Sequence, residues 1–178
     1  MRNTLLKVLA AIAIFVYPSG LWAQKTESSY YVDAKTAEKV KAEIAKQVID
    51  AYQTKEVYNL MTPNFNAVEN AALKAEDETG YLCIDGDYFY CTQDIYPKRF
   101  EIKKVSLISK AMAAVHVMLI FDEENYHNTE SVVLIMVLNA EPKIADEKKW
   151  LVDDVWFIWK PGSYSSVKQG MIECVINN

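Results

Sequence analysis

The residues best suited to chemistry lie in two short aromatic segments, and the first is residues 81–97. Tyrosines, three aspartates and two cysteines are concentrated there. Tyrosine offers flat contact area and a hydroxyl, and aspartate accepts hydrogen bonds or removes protons, so one interpretation is the lid of a ligand cleft. The alternative is a long connection that aromatic side chains pin to a sheet, with aspartates capping local backbone. The candidate binding residues of this segment are Asp85, Asp87, Tyr88, Tyr90 and Asp94.

The second segment, residues 150–156, places two neighbouring aspartates inside an apolar run. Side chains alternate between the faces of a regular strand, so at most one of the two carboxylates would enter a given pocket. A carboxylate among apolar side chains has a raised pKa unless it is paired, and such a group suits general base catalysis. The alternative is a carboxylate that bonds backbone amides at a β-bulge or anchors the first segment. The candidate residues here are Asp153, Asp154 and Trp156.

Histidine and cysteine add one further candidate and one expected crosslink. His116 lies between apolar residues in a predicted strand, either as a pocket residue or as a core histidine whose hydrogen bonds are satisfied. The three cysteines are Cys83, Cys91 and Cys174, so one stays unpaired within the chain. Close spacing predicts a Cys83–Cys91 disulfide in an oxidising compartment, and three free, mostly buried thiols are the alternative.

Composition and motifs argue against several classes of function. The net charge of −5 and the lack of a basic tract make the chain a poor nucleic-acid binder. The spacing of cysteines and histidines matches no zinc site, and the sequence has neither a glycine-rich phosphate loop nor a Ser-His-Asp order. We therefore expect no metal, no cofactor and no nucleic-acid partner.

Residues 1–23 have the layout of a secretory signal peptide. Arg2 and Lys7 precede the apolar run of residues 8–17, and Ala23 ends a cleavage site. The run is shorter than the roughly 20 residues that a membrane-spanning helix needs. Because no cysteine lies near the cleavage site, we expect an exported protein, periplasmic or secreted, that is not lipid-anchored. The mature chain would be more acidic and would carry no integral membrane segment.

The rest of the chain is predicted to form a flexible lead-in, residues 24–34, and a single domain, residues 35–178. Helical spacing of apolar residues predicts helices at residues 35–52 and 55–61, then one from Thr62-Pro63 to Gly80. Runs rich in Val, Ile, Phe and Trp predict four antiparallel strands at residues 100–109, 111–122, 130–140 and 150–159. Ser163 is expected to cap a last helix that carries Cys174 in a packed seam.

The predicted fold is an α+β domain in which N-terminal helices pack on a curved four-stranded antiparallel sheet, with a C-terminal helix. The strand of residues 113–121 is apolar on both faces. Because a sheet face in water would be more polar, we expect helices or a partner to cover much of both faces. A homodimer of such sheets is compatible with this pattern.

Three short stretches resemble one family of secreted bacterial proteins. They are Ile84-Asp85-Gly86-Asp87-Tyr88-Phe89, Gln93-Asp94 and Trp150-Leu151-Val152-Asp153-Asp154-Val155. Together they resemble the pattern of a domain-of-unknown-function family in the nuclear-transport-factor-2-like (cystatin-like) superfamily, over roughly residues 35–175. The resemblance implies a cone-shaped pocket between the concave sheet face and the helices. Such folds include small-molecule isomerases and hydrolases as well as non-catalytic binding or dimerisation modules, so fold does not select the function.

Three functions follow as hypotheses. The first is a secreted or periplasmic non-catalytic binding or interaction domain, because no nucleophile–base constellation is visible and tyrosine suits contact surfaces. The second is a small-molecule acid–base enzyme, isomerase-like or hydrolase-like, with Asp154 or Asp94 as base and Tyr88 or Tyr90 as donor. The third is an inhibitor or immunity-type protein whose acidic surface meets a basic partner. The first hypothesis predicts a pocket filled by the protein's own side chains.

Overall fold

The computed structural model describes residues 33–84, 86–92, 96–123, 126–139, 150–160 and 163–177. The predicted signal peptide, residues 1–23, and the candidates Asp85 and Asp94 lie outside the described residues. The lead-in of residues 24–34 is described only at its last two positions.

Helix α1, Ala34–Thr54, begins at a side-chain cap. Asp33 accepts a hydrogen bond from the backbone N–H of Thr36 at 2.7 Å, which satisfies one of the free donors of the first turn. The helix buries one apolar stripe, including Ile44 and Val48, as its spacing predicts. Lys55 ends it in a left-handed conformation with φ +58°.

A 3-10 helix, Val57–Leu60, and helix α2, Pro63–Thr79, follow. Thr62 Oγ1 accepts a hydrogen bond from Phe65 N at 3.0 Å, and Pro63 occupies the first turn, where its missing N–H costs nothing. Gly80 ends α2 at φ +69°, a conformation that glycine adopts without steric cost. These signals at Thr62, Pro63 and Gly80 confirm the predicted bounds of this helix.

The sheet has five antiparallel strands in sequential order, not the four predicted. The strands are β1 Arg99–Ser109, β2 Met112–Glu123, β3 Tyr126–Leu138, β4 Trp150–Lys160 and β5 Ser163–Ser166. Ser163 begins β5 rather than a helix, because residues 163–166 pair with β4. Helix α3, Val167–Asn177, follows. In its first turn, the backbone N–H of Gln169 donates a hydrogen bond to Ser166 Oγ at 2.9 Å.

The two faces of this sheet differ in burial. On the inner face, which the helices cover, Val115, Val117 and Leu134 are 0% exposed. Their neighbours on the other face of β2 and β3, such as His116 and Val133, are partly exposed. Because helices pack on one face of an antiparallel sheet, the predicted α+β class is confirmed. In the described part of the chain, complete burial is found on one face only.

A β-bulge interrupts the alternation of β4. Ile135 pairs with Asp154, whereas the next residue, Met136, pairs with Val152, so Asp153 is the extra residue. Val152 and Val155 are both buried, and the buried positions therefore change parity across the bulge. The expectation of strict alternation through the two aspartates is wrong for this reason.

No helix in the described ranges is long and apolar enough to cross a membrane.

Candidate functional site

The first candidate segment forms a tight turn in residues 86–92. Gly86 takes φ +83°, and the chain reverses at Asp87, whose N–H donates to Thr92 O at 2.6 Å. Asp87 Oδ1 accepts hydrogen bonds from the N–H groups of Phe89 at 3.0 Å and Tyr90 at 3.2 Å. Asp87 therefore caps local backbone, as the alternative interpretation of this segment expects.

Aromatic side chains from this turn fill the interior. We define the aromatic cluster as Tyr52, Tyr58, Phe65, Tyr88, Phe89, Tyr90 and Phe100. Phe89 is 0% exposed, and its ring meets that of Tyr58 edge-on at 4.7 Å between centroids. Tyr90 meets Tyr52 edge-on at 5.4 Å, and the Tyr52 hydroxyl donates to Phe89 O at 2.9 Å. The cluster is continuous with the hydrophobic core, at the place where the resemblance implies a pocket.

Two glutamates of α2 hold this segment, and the sequence reasoning did not find them. The Tyr88 hydroxyl donates to Glu69 Oε1 at 2.6 Å. Glu76 Oε1 accepts hydrogen bonds from the N–H groups of Cys83 and Ile84. Glu69 and Glu76 are seven residues apart, which places them on one face of the helix two turns apart. That spacing, on a helix leading directly into the segment, is the signal that could have identified them.

Burial keeps the phenols of the aromatic cluster protonated. Desolvation raises the pKa of Tyr88, and its hydrogen bond to Glu69 raises it further. Desolvation also raises the pKa of Tyr58, together with the charge and hydrogen bond of Asp87. The pKa of Tyr90 rises to about 12, again chiefly through burial, and its hydroxyl has no hydrogen-bond partner among the described residues. These groups can donate hydrogen bonds but are poorly suited to act as bases near neutral pH.

The disulfide joins Cys83 to Cys174, and the expected Cys83–Cys91 pairing is wrong. Helices α2 and α3 pack together, which brings Cys174 to the segment that follows α2 with a Cα–Cα distance of 5.6 Å. Cys91 is a free thiol at φ +53°. Burial raises its pKa to about 12, with smaller contributions from Glu130 and Asp87, so it is a weak nucleophile at neutral pH.

Asp154 of the second segment accepts four hydrogen bonds. Its donors are Val155 N at 2.8 Å, Ser166 Oγ at 2.6 Å, Lys168 N at 3.0 Å and the indole N–H of Trp156. Asp154 thereby joins β4, β5 and the first turn of α3. Burial raises its pKa, while all four hydrogen bonds act in the opposite direction. The carboxylate is therefore used to hold three elements together.

Asp153 connects the same bulge to the other helix start. The Thr62 hydroxyl donates to Asp153 Oδ1 at 2.8 Å while capping α2, and Lys168 Nζ lies 2.9 Å from Asp153 Oδ2. Both aspartates therefore contact Lys168, through its side chain and its backbone N–H. The bulge makes this convergence possible, because regular alternation would send the two carboxylates to opposite faces.

The two candidate segments are connected through Met61 and Thr62. Met61 forms a bridge with Val152, and Thr62 N donates to Val152 O at 2.8 Å. On its other side, Met61 Sδ lies 3.5 Å from the Tyr88 hydroxyl. The link between Tyr88 and Asp153 therefore runs through the packed residues Met61 and Thr62, not across an open cavity.

His116 lies on the partly exposed face of β2, the same face of the sheet that carries the candidates Asp154 and Trp156. It pairs with Lys104 of β1 and Val133 of β3. Burial lowers its pKa, and the charge of Lys103 lowers it further, so the neutral imidazole is favoured. Its buried Nε2 has no hydrogen-bond partner in the part of the chain that the structure describes.

The face that carries His116 is largely apolar, and we call it the outer sheet face. Its described members on the three central strands are Met112, Ala114, His116, Met118, Ile120, Asp122, Thr129, Ser131, Val133, Ile135, Val137, Leu151, Asp154, Trp156 and Ile158. Asp122 and Thr129, near the β2–β3 turn, are exposed, and the others are partly exposed. On β1 the same face turns polar, with Arg99, Glu101 and Lys104. On β5 it carries Tyr164, which is 55% exposed and contacts the ring of Trp156.

Two surface depressions are lined by residues other than Asp87, Asp153 and Asp154. One, of about 500 Å³, borders the disulfide and is lined by Tyr81, Leu82 and Glu173 among others. The other, of about 610 Å³, lies between α1 and β1 and is lined by Ile49, Gln53 and Phe100 among others. The described residues contain no group of three or more His, Cys, Asp or Glu side chains arranged to hold a metal ion.

Comparison of the chain with protein-family models, with curated proteins and with solved structures found no match.

Proposed function

We propose that this protein is a non-catalytic interaction domain that acts in the periplasm or outside the cell, and that its outer sheet face is the contact surface. The observation that carries the proposal is the contrast between a filled interior and an accessible apolar face. The aromatic cluster occupies the interior, with Phe89 at 0% exposure. Val133, Ile135 and Met118 of the outer sheet face remain partly exposed. Contiguous exposed apolar surface is typical of protein–protein contact sites.

The bonding of the carboxylates also supports a non-catalytic role. A general base needs to reach a substrate proton within hydrogen-bond distance. Asp154 already accepts four hydrogen bonds, and Asp153 is bonded to Thr62 and Lys168. Releasing either carboxylate for catalysis would therefore disrupt the starts of α2 or α3.

Export is supported by the Cys83–Cys174 disulfide, because disulfides persist mainly in oxidising compartments. Cleavage after Ala23 is tested by expressing the full chain in a bacterial host and sequencing the mature N-terminus. We expect Gln24 as the first residue in the periplasmic fraction. Ile12→Asp, which places a charge in the apolar run of the leader, is expected to leave uncleaved precursor in the cytoplasm. The unprocessed wild-type chain in the cytoplasm would contradict export.

The resemblance to the nuclear-transport-factor-2-like (cystatin-like) superfamily stays part of the proposal. The order of helices, antiparallel sheet and terminal helix agrees with it. A cone-shaped pocket is not needed for the proposed function, since the contact surface lies on the opposite side of the sheet. Membership would be tested by an experimental structure of the mature chain.

An acid–base enzyme is the second candidate, and one contact favours it. The Tyr88 hydroxyl and Glu69 Oε1 are 2.6 Å apart, the donor–carboxylate pairing that the enzyme hypothesis requires, although with Glu69 in place of Asp94 or Asp154. A screen of small polar and apolar molecules by protein-observed NMR separates the candidates. The interaction domain predicts that no compound shifts the resonances of Tyr88 and Glu69 saturably, whereas the enzyme predicts saturable shifts there.

Site-specific photo-crosslinking tests the contact surface directly. Met118 on the outer sheet face is replaced with benzoylphenylalanine in the full chain expressed in cells. Leu73 is the matched control, because it is an apolar side chain, 44% exposed, on α2. We expect a discrete crosslinked product from position 118 and none from position 73. Absence of a product at position 118 would overturn the proposal.

A further inference from the structure

We propose that the depression beside the disulfide is a docking site for a basic, apolar segment of a partner protein. We call it the disulfide groove: one wall is residues 81–83, and the other is formed by Gly170, Glu173, Cys174 and Asn177 of α3. Its described lining includes no residue of the sheet, so this site is separate from the outer sheet face and goes beyond the proposed function. An apolar wall, a fixed shape and an open glycine point to a docking site, and the surrounding charge identifies the occupant.

Two large apolar side chains are exposed on the first wall. Tyr81 and Leu82 follow each other in the chain, and each is 61% exposed. Single exposed apolar side chains are ordinary, but adjacent ones beside a depression of about 500 Å³ are typical of contact sites. A tyrosine suits such a site, because its ring supplies contact area while its hydroxyl can stay in water. This wall therefore offers apolar surface that the described chain leaves uncovered.

The shape of the groove is set before a partner binds. The disulfide joins the two walls, with a Cα–Cα distance of 5.6 Å between Cys83 and Cys174. Glu76 of α2 also holds the first wall, because its carboxylate accepts hydrogen bonds from the N–H groups of Cys83 and Ile84. A site whose walls are already ordered loses less conformational entropy when a ligand binds.

A glycine inside α3 keeps the second wall open. Glycine is a poor helix former, and a Cβ atom at Gly170 would meet nothing within 4 Å, so packing of the described residues does not require glycine there. Without a side chain, the backbone of α3 can be approached closely by another chain. Gly170 and Asn177 are seven residues apart, which corresponds to about 10 Å of helix, the length of about three residues of extended chain.

Two helix ends give the groove a negative potential. Cys174 and Asn177, which line it, belong to the last turn of α3, and α2 ends at Thr79, two residues before Tyr81. The carbonyl end of a helix carries partial negative charge and favours cations. Neither helix has a basic residue in its last turn to neutralise that charge, and Lys168, the lysine of α3, lies in the first turn.

Acidic side chains add to this potential. Glu173 lines the groove, and Asp77 and Glu78 lie in the last turn of α2. Lys74 pairs with Glu78 at 3.6 Å. Glu173 accepts a hydrogen bond from the neutral side chain of Gln169 at 2.8 Å and keeps its charge. The groove therefore combines apolar surface with a negative charge on its second wall.

The complementary occupant is an extended segment in which lysine or arginine alternates with aliphatic or aromatic residues. Its apolar side chains cover Tyr81 and Leu82, and its cation reaches Glu173. An acidic segment meets repulsion from Glu173 and from the two helix ends. The sign of the charge on the partner is therefore the most direct property to test.

NMR titration of the purified mature protein with two synthetic hexapeptides tests the proposal. The first peptide alternates lysine with leucine and phenylalanine, and the second carries glutamate in place of every lysine. We expect the lysine peptide to shift the backbone amide resonances of Tyr81, Leu82 and Gly170 saturably, and the glutamate peptide to bind at least about tenfold more weakly. Equal binding of the two peptides, shifts centred elsewhere, or no saturable shift from either peptide overturns the proposal.

A variant that fills the groove tests its location. Gly170→Leu projects a side chain from α3 into the groove and should weaken binding of the lysine peptide at least about tenfold. The fold should be retained, because the position is open and leucine is the better helix former. Ala71→Leu is the matched control, since it adds leucine at an exposed position of α2 outside the lining, and it should leave the affinity unchanged. Equal affinities of the two variants overturn the assignment to this groove.

Charge variants separate the groove from the general acidity of the chain. Glu173→Gln should weaken binding of the lysine peptide about threefold. Asp50→Asn removes an exposed acidic charge from α1 and should change the affinity by less than about 1.5-fold. Equal weakening by both variants overturns the docking site, and this pair decides the test if far-UV circular dichroism shows that Gly170→Leu does not fold. Met118 does not line the groove, so photo-crosslinking at that position tests the outer sheet face independently.

Discussion

The two faces of the sheet are made of similar residues and differ in burial. On β3, Val132, Leu134 and Met136 face inward and are 0% exposed, while Val133, Ile135 and Val137 face outward and stay partly exposed. Apolar composition alone therefore does not distinguish a buried core face from one that stays partly exposed. What distinguishes them is the neighbouring structure, since the helices and the aromatic cluster cover one face within the described chain.

Carboxylates are committed to structural hydrogen bonds both away from the outer sheet face and, at Asp154, on that face. Glu69 accepts a hydrogen bond from a tyrosine, Asp87 caps a turn, and Asp153 accepts a hydrogen bond from the residue that caps α2. On the outer face, His116 Nε2 has no described hydrogen-bond partner. The difference teaches that Asp87, Asp153 and Asp154, which stand out in the sequence, organise the fold, whereas the less conspicuous apolar residues of the outer face stay partly exposed.

The largest change in stability is expected from a substitution in the aromatic cluster that packs under the inner face. Phe89→Ala removes a fully buried ring from the aromatic cluster and should lower the free energy of unfolding by about 3–5 kcal/mol. Val133→Ala on the outer face should cost about 1 kcal/mol or less, because the side chain is already partly exposed. Urea unfolding measures both. Equal costs would contradict the contrast between the faces.

The next largest change in stability is expected from removal of the disulfide. The Cys83–Cys174 disulfide spans a sequence separation of 91 residues, so replacing both cysteines with serine should lower the free energy of unfolding by about 4 kcal/mol. Thermal unfolding with and without reductant provides the measurement. Cys91→Ala is the control, with an expected loss of about 1 kcal/mol and no change in sensitivity to reductant. Insensitivity of the wild type to reductant would contradict the assigned pairing.

The comparison also explains which features the sequence predicts. Thr62, Pro63 and Gly80 act on the backbone within a few residues, so the bounds of α2 follow from local chemistry. Strand β5 does not, because the short polar run of residues 163–166 becomes a strand only by pairing with β4. The bulge at Asp153 depends on the register with β3, and the Cys83–Cys174 pairing depends on helix packing.

The same distinction applies to the site. Asp154 stands out in the sequence as a charge in an apolar strand, but its partners Ser166 and Lys168 come from elements that only the folded chain brings near. Asp87 is recognisable because Asp-Gly-Asp is a turn signal, and its two backbone hydrogen bonds are local. Glu69 escapes notice because its partner Tyr88 lies 19 residues further along the chain.

A smaller effect tests whether Asp154 organises structure. Asp154→Asn replaces an acceptor oxygen with an amide donor and should lower the free energy of unfolding by about 1–3 kcal/mol. Since burial raises the folded pKa of Asp154, the folded state binds more protons than the unfolded state as pH rises from about 4 through that raised pKa. The contribution of Asp154 to stability therefore falls across this window, and the difference between wild type and variant should narrow as pH rises. Urea unfolding at a series of pH values measures the slope. A difference that widens with pH would contradict the raised pKa.

The smallest change in stability is expected from the titration of His116 on the outer face. The folded pKa of His116 lies below its ordinary value of 6.5, so between these two values the unfolded state binds more protons and stability is lost as pH falls. We expect the wild type to be less stable, by under about 1 kcal/mol, at about pH 5 than at about pH 7.5. His116→Gln keeps a polar side chain of similar length that does not titrate, and it should flatten the profile of stability against pH. If the variant and the wild type share the same pH profile, the pKa of His116 is not lowered in the folded state.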